Sequence, residues 1–258
     1  MKKSDKVEVI AIVSDIHFDQ VDWPTWNAFK KWQAATKPDK VVILGDFVDF
    51  GMLSKYVQGA EAPVHAIPQI SMFVKEANIL KKHSKQIIVM EGNHDERWDK
   101  AVLGTHGAAL KDAKGLSLKD QCFFHGLDES ITWLKEDLLN TGVKCGPFVL
   151  RHGHRQGSGW GATHLAANRL QKSMGVSEVF GHHHRAQMMC QTAHGKTAIA
   201  IANPHMSSEH SYASDPNWQR GYTILNLFGP DNMYCTPQLV VIQDGRFALD
   251  GQLYDGNI

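Results

Sequence analysis

Five apolar runs in this chain each end, within a residue or two, in side chains that ligate metals or carry protons. The runs cover residues 7–13, 40–44, 86–90, 148–150 and 176–180. The clusters that follow them are Ser14-Asp15-Ile16-His17, Gly45-Asp46-Phe47-Val48-Asp49, Gly92-Asn93-His94-Asp95, Arg151-His152-Gly153-His154 and Gly181-His182-His183-His184. The runs are short and mostly β-branched, as strands buried on both faces are. Helical spacing over residues 24–35, 69–83 and 164–174 falls between them, with Pro24 suited to a first helical turn. Strands alternating with helices imply a largely parallel arrangement, in which C-terminal strand ends share one rim and ligands bind there. Clusters far apart in sequence can therefore converge.

The remainder of the chain is less regular. Residues 96–145 show helical and loop patterns without a clear strand, with helix expected inside 119–140, and are read as a helical cap insertion over the site. A further strand is expected over 197–202, ending in Asn203-Pro204, followed by a polar loop over 205–220. From residue 222 onward the pattern becomes β-hairpins, with turns at Gly229-Pro230-Asp231-Asn232 and Asp244-Gly245. Neither a repeat nor a linker interrupts the 258 residues, so a single domain over 1–258 is expected. Trp23, Trp26 and Trp32 are read as one packed helix face.

Composition narrows the function classes. Lys+Arg and Asp+Glu both number 27, so the global field does not favour a general nucleic-acid binder. Histidine is abundant at 15 residues, and six of these lie between Arg151 and Arg185. Cys122, Cys145, Cys190 and Cys235 are widely spaced and form no CxxC pair, which reads as reduced thiols of a cytoplasmic protein. The first apolar run contains Glu8 and has no cleavage site, and no run reaches transmembrane length, so neither export nor a membrane is expected.

Each cluster has a chemical use. Asp15 and His17 are two apart, so in extended backbone both would reach one ion, and His182 and His184 repeat that spacing while His183 points away. Asp46 and Asp49 sit in a turn, where a carboxylate can bridge two cations. Asn93 offers a neutral oxygen, and His94 beside it can serve as acid or base. His152, at the strand end, is favoured as a ligand, with His154 as the alternative. This mixture of imidazole, carboxylate and amide suits Mn, Fe, Zn, Co or Ni better than a Ca or Mg cage or a closed structural zinc site. Arginines suited to phosphate flank the clusters, and Arg97 and Arg155 are the chosen substrate contacts. His183, His205 and His210 are read as ordinary exposed or packed histidines, with substrate contact as the alternative.

Together, Asp15-x-His17, Gly45-Asp46-x-x-Asp49, Gly92-Asn93-His94-Asp95, His152-Gly153-His154 and Gly181-His182-x-His184 resemble the calcineurin-like metallophosphoesterase superfamily in order and spacing. Asn203-Pro204 also resembles the ending common in that superfamily. The resemblance implies an α/β (α+β) fold: a four-layer αββα sandwich of two mixed β-sheets flanked by helices. It implies a first metal held by Asp15, His17, Asp46 and His184, with Asp46 bridging. Asn93, His152 and His182 would complete the second. It further implies in-line attack on a phosphate monoester or diester by a metal-bridging hydroxide, with His94 as general acid oriented by Asp49. Two divalent transition-metal ions are expected, manganese first, with Fe, Zn, Ni or Co as alternatives. Phe50 replaces the Arg of the protein phosphatase branch, and His154 replaces the Asp of lipid A precursor hydrolases. The alternative readings are a nuclease or cyclic-nucleotide phosphodiesterase of the same superfamily, and a non-catalytic metal-binding scaffold.

Overall fold

A computed structural model describes residues 6–54, 65–104, 109–110, 113–134, 142–154, 164–173, 175–208 and 216–258. Among these residues the strands are β1 (Glu8–Val13), β2 (Lys40–Leu44), β3 (Gln86–Met90), β4 (Thr132–Leu134), β5 (Val143–Cys145), β6 (Phe148–Arg151), β7 (Ser177–Phe180), β8 (Gln187–Ala193), β9 (Lys196–Ala202), β10 (Gly221–Phe228), β11 (Tyr234–Val241), β12 (Arg246–Leu249) and β13 (Gln252–Asp255). The helices are α1 (Trp23–Thr36), α2 (Ile67–Lys81), α3 (Glu96–Leu103), α4 (Leu118–Phe124) and α5 (Leu165–Lys172).

Two mixed sheets form, as expected. The first runs β11-β10-β1-β2-β3-β4 and the second β5-β6-β7-β9-β8, with β12 and β13 as a separate hairpin. β1 to β4 are mutually parallel, and β10 returns antiparallel beside β1. In the second sheet β6, β7 and β9 are parallel.

Strand alternation builds the layers. On β1, Ile10 and Ile12 join Val42, Leu44, Phe148, Leu150, Val179 and Ile201 in the core between the sheets. Ala11 and Val13 face the other way, packing with Val41, Ile43, Ile87 and Val89 against Trp26, Phe29, Phe73 and Leu80 of α1 and α2. On the far side, Leu165, Ala166 and Leu170 of α5 cover Phe180, Ala198, Ala200 and Ala202. These strands are buried on both faces, which is why they read as continuous apolar runs rather than alternating ones.

Several expectations need correction. Residues 96–145 hold strands as well as helices. α3 and α4 are there, but β4 adds an edge to the first sheet and β5 an edge to the second. The helix expected inside 119–140 is present as α4, which ends at Phe124, and among the described residues that follow 132–134 is strand. β8 was not expected at all. It pairs antiparallel with β9 around His194-Gly195, whose φ values of 50° and 73° suit the two-residue hairpin turns that match strand twist. The tryptophans do not share a face. Trp26 and Trp32 are buried, whereas Trp23 is 41% exposed. Nine residues separate Trp23 from Trp32, two and a half helical turns, so they point in opposite directions.

Candidate metal centre

The parallel strands bring their C-terminal ends to one rim, and the loops beyond them are laced together. The backbone N–H groups of Asp15, Ile16 and Phe18 donate to the carbonyls of Gly45, Asp46 and Phe47 at 3.1, 2.9 and 3.0 Å. Two glycines make room for this. A Cβ on Gly45 would overlap the His152 ring, and one on Gly92 would meet the Asp46 carboxylate and lie 2.8 Å from His152 Cε1. The Gly-Asp and Gly-Asn-His signatures are thus packing requirements of the rim.

The rim backbone is also unusual. Asp15, His17, Asp46, His182 and His184 all have positive φ, at 52°, 46°, 51°, 69° and 59°. Left-handed backbone is uncommon outside glycine and clusters at functional sites, where surrounding structure over-determines it. The expectation of extended backbone at these pairs is therefore corrected. Asp15 and His17 do reach a common group, but through left-handed bends, whereas His182 and His184 turn to different groups.

Among the described residues three donor groups result. Asp15, His17 and His184 place one donor atom each within 4.8 Å of one another, as do Asp46, His152 and His182, and as do His17, Asp49 and His94. His184 Nε2 lies 3.4 Å from Asp15 Oδ1. His152 Nε2 lies 3.1 Å from Asp46 Oδ2 and 3.1 Å from Asn93 Oδ1. Asp15, His17, Asp46, His152 and His184 are all buried.

Electrostatics follows from this packing. Burial opposes charge on Asp46, yet the His152 and His94 rings outweigh it and hold the carboxyl well below its usual range. Asp15 is likewise held low against burial, by His184 and then His152. Burial also disfavours a charged His152, but Asp46, Asp15 and the Leu44 carbonyl raise it to about 10. His182 falls to about 3 through burial and the neighbouring His152.

The donor set fits divalent cations. His152 Nδ1–H donates to Leu44 O at 2.9 Å, which fixes the tautomer of a neutral ring and turns the Nε2 lone pair toward the oxygens of Asp46 and Asn93. A lone pair facing two oxygens needs a positive centre between them. The raised basicity of His152 expresses that demand. Mixed imidazole and oxygen ligation is the pattern of transition-metal sites.

His94 and Asp49 stand beside these groups. His94 Nδ1–H donates to Asp49 Oδ1 at 2.7 Å, while Nε2 faces Asp46 Oδ2 at 4.0 Å and Arg97 Nη2 at 3.3 Å. Arg97 Nη1 donates to Asp49 O at 2.8 Å. Burial works against a charged His94, but Asp46 and Asp49 raise its pKa above the ordinary histidine value.

Asp15, His17, Asp46, Asp49, Asn93, His94, Arg97, His152, His182 and His184 therefore gather on one rim. Arg155 and His210 lie outside the described residues. His154 stands aside from the second donor group, with Nε2 3.7 Å from Glu96. His205 is a packed histidine, stacked on His184 with centroids 4.7 Å apart.

Two residues around the site escaped the sequence reading. Asp95 accepts three backbone N–H groups, from Asp46 and Gly92 at 2.7 Å and from Val48 at 3.1 Å. Gln69 Oε1 accepts from the backbone of Asp49 and Phe50 at 3.2 and 3.0 Å. Asp95 is visible in the third motif, but side chains that hold backbone carry no signature of that role. Gln69 lies at a helix start with no local signal.

An αββα sandwich with buried carboxylates and imidazoles clustered on its strand-end rim presents the donor set of a metal site. The chain belongs to the calcineurin-like phosphoesterase family, whose model matches residues 9–186 and so spans every candidate ligand. It is 26% identical over 262 residues to the Gene 54 protein of Mycobacterium phage D29, covering 95% of this chain and 98% of that one. The Gene 54 protein of Mycobacterium phage L5 is 24% identical over the same extent. Among solved structures, Vps29 from Entamoeba histolytica complexed with zinc aligns at 16% identity and a TM-score of 0.48, covering 96% of this chain and 99% of that one. The protein TT1561 of Thermus thermophilus aligns at 11% identity and a TM-score of 0.36, covering 91% and 99%. Family membership and the His/Asp groups support metal-dependent phosphoester hydrolysis in general terms. Among the described residues no helix is long and apolar enough to cross a membrane.

Proposed function

We propose that this chain is a dinuclear metal-dependent phosphoesterase acting on a small phosphate ester or diester in the cytoplasm. The observation that carries the reading is two separate donor groups, Asp15/His17/His184 and Asp46/His152/His182, on one rim, with the His94–Asp49 pair beside them. Asp15, His17 and His184 would hold one cation, Asn93, His152 and His182 the other, and Asp46 both. Manganese is the first choice, with Fe, Zn, Ni or Co as alternatives. When bound, two such ions neutralise phosphoryl charge and make water nucleophilic near neutral pH.

The protein's own groups then perform the proton transfers and positioning. Asp49 holds Nδ1–H of His94 at 2.7 Å, which orients the ring and leaves Nε2 to deliver a proton to the leaving oxygen. Arg97, whose Nη2 lies 3.3 Å from that nitrogen, binds a phosphoryl oxygen. Burial of the carboxylates excludes competing water and strengthens these interactions.

The test is hydrolysis of p-nitrophenyl phosphate and bis-p-nitrophenyl phosphate by metal-stripped protein, with Mn, Ni, Co, Zn and Mg added back singly. Metal-dependent turnover is expected, and the ratio of the two rates assigns monoester or diester preference. No turnover from folded protein holding two ions would make the chain a metal-binding scaffold instead.

A further inference from the structure

On the rim beside the first donor group lies a cavity of about 390 Å³, lined by Pro216, Trp218, Gln219, Arg220, His205 and residues 241–244. That volume is near the small end of the range for ligand sites, roughly 300–1,000 Å³. Its place follows from topology. β10 runs antiparallel to β1, with Thr223 opposite Ile12, so the residues entering β10 lie where β1 ends in Asp15. β11 ends at the same level, with Val241 opposite Gly221.

Trp218 connects this cavity to the metal centre. Its ring meets the ring of His184 edge-on with centroids 4.6 Å apart. Its segment is fixed to the loop that carries His182 and His184. The Gln219 N–H donates to His184 O at 2.9 Å, and Gln219 Oε1 accepts the Ala186 N–H at 3.1 Å. Arg220 is held by donation to Ser207 O at 3.0 Å and by Asp22 at 3.5 Å. An aromatic ring is therefore set at a defined offset from a candidate ligand.

The lining selects a class of occupant. Pro216, Trp218, Val241 and Ile242 offer apolar surface, while Gln219, Arg220, Gln243 and Asp244 offer both donors and acceptors. One cation and one anion balance, so the cavity does not call for a second phosphate. A wall this polar does not suit an acyl chain. A neutral, planar group with its own donors and acceptors matches both halves of the lining, and stacking on tryptophan is the general way such groups are held.

We propose that this cavity holds the base of a nucleoside phosphodiester while its phosphoryl group lies at the Asp15/His17/His184 group, with Trp218 as the stacking platform. The proposal rests on the phosphoesterase reading above and names its substrate class.

Two diesters with the same scissile bond test it: the p-nitrophenyl ester of thymidine 5′-monophosphate and p-nitrophenyl methyl phosphate. In each, a water oxygen bonds to phosphorus, the P–O bond to p-nitrophenolate breaks, and the leaving oxygen receives a proton. Only the first carries a base. The expected result is a kcat/KM ratio of at least about tenfold in favour of the nucleoside ester. Trp218→Ala should bring that ratio to within about twofold of unity, and Trp218→Phe should restore most of it. Because the ratio is internal, any general loss caused through His184 cancels. Calorimetric titration of thymidine 5′-monophosphate against ribose 5-phosphate gives a second readout. The nucleotide should bind at least about tenfold tighter, and Trp218→Ala should erase the difference. Turnover of both esters at equal rates, or a preference that survives Trp218→Ala, would overturn the subsite and leave the hydrolase reading standing. A Trp218-dependent binding preference without turnover of either ester would keep the subsite and overturn the hydrolase reading. Neither turnover nor preferential binding would overturn both.

Discussion

Asp95 holds the backbone of Asp46. Its Oδ2 accepts the Asp46 N–H and the Gly92 N–H at 2.7 Å, and its Oδ1 accepts from Val48 at 3.1 Å. The carboxyl is fully buried, and burial together with the negative charge of Asp46 pushes its pKa well above the usual range, against the pull of those amides. Asp95→Asn would turn an amide NH₂ toward at least one of the three N–H groups. A buried donor left unmet costs about 1–3 kcal/mol. The expected outcome is a melting temperature lower by roughly 4–8 °C for a loss of about 2 kcal/mol, together with weaker metal binding as the Asp46 loop loosens. Unchanged melting and unchanged metal affinity would show that the loop does not depend on Asp95.

His94→Ala should keep the metals and lose turnover. His94 belongs to neither the Asp15/His17/His184 group nor the Asp46/His152/His182 group. General acid–base groups contribute roughly 10²–10⁴-fold, so kcat should fall by about that factor. The check is steady-state kinetics alongside metal content by mass spectrometry. A turnover number equal to that of the unmodified protein would remove His94 from the reaction.

Asp46→Asn should reduce the number of tightly held ions. Asp46 Oδ2 lies 3.1 Å from His152 Nε2, and its carboxylate is buried among imidazoles that need its charge. An amide offers one neutral oxygen in place of two charged ones and cannot serve two cations equally. Stoichiometry after dialysis should fall from two ions per chain toward one. Two ions retained at undiminished affinity would end the bridging assignment.

The four cysteines should separate by reactivity. Cys190, on edge strand β8, is exposed, while Cys122 is buried. Burial pushes the Cys145 thiol up to about 11 and the Cys235 thiol up to about 12, and raises Cys122 well above its ordinary value. The thiolate is the reacting species, so near pH 8 these three stay protonated and inert. A chromogenic disulfide reagent should titrate one thiol quickly in the native protein and four after denaturation. Two or more fast thiols in the native protein would contradict the burial assigned to the other three.

The sequence was legible where both faces of a strand are buried and where a loop must ligate. β1, β2, β3, β6, β7 and β9 announce themselves because core layers on either side demand apolar residues at most positions. The rim residues were legible because imidazole and carboxylate at strand ends have few other uses. β4 and β5 were missed because three residues each, Thr132–Leu134 and Val143–Cys145, are too short to show a period. β8 was missed because it is exposed along nearly its whole length and its Gln-Met-Met-Cys start lacks β-branched residues. Its pairing partner and turn, not its own preference, make it a strand. The left-handed backbone of Asp15, His17, Asp46, His182 and His184 was likewise illegible, since tertiary packing imposes it against local preference.

The C-terminal hairpin should depend on one missing methyl group. Gly256 N–H donates to Gly245 O at 2.9 Å, which closes β12 and β13 into a unit resting on α1. A Cβ on Gly256 would overlap Pro24 O and come within 2.6 Å of Ala28 N, both backbone atoms of α1 that cannot swing aside. Phe247, a buried residue of β12, stacks on Tyr254 of β13 at 5.0 Å and meets Tyr222 at 5.6 Å, so lifting the hairpin exposes aromatic surface. Overpacking of this kind costs typically about 1–3 kcal/mol. Gly256→Ala should therefore lower the melting temperature by several degrees and open 243–258 to limited proteolysis. Metal stoichiometry should stay unchanged, because the donor residues lie on the strand-end rim and not on α1. A variant that melts with the unmodified protein and resists protease equally would show that the hairpin is not seated on α1 through this contact.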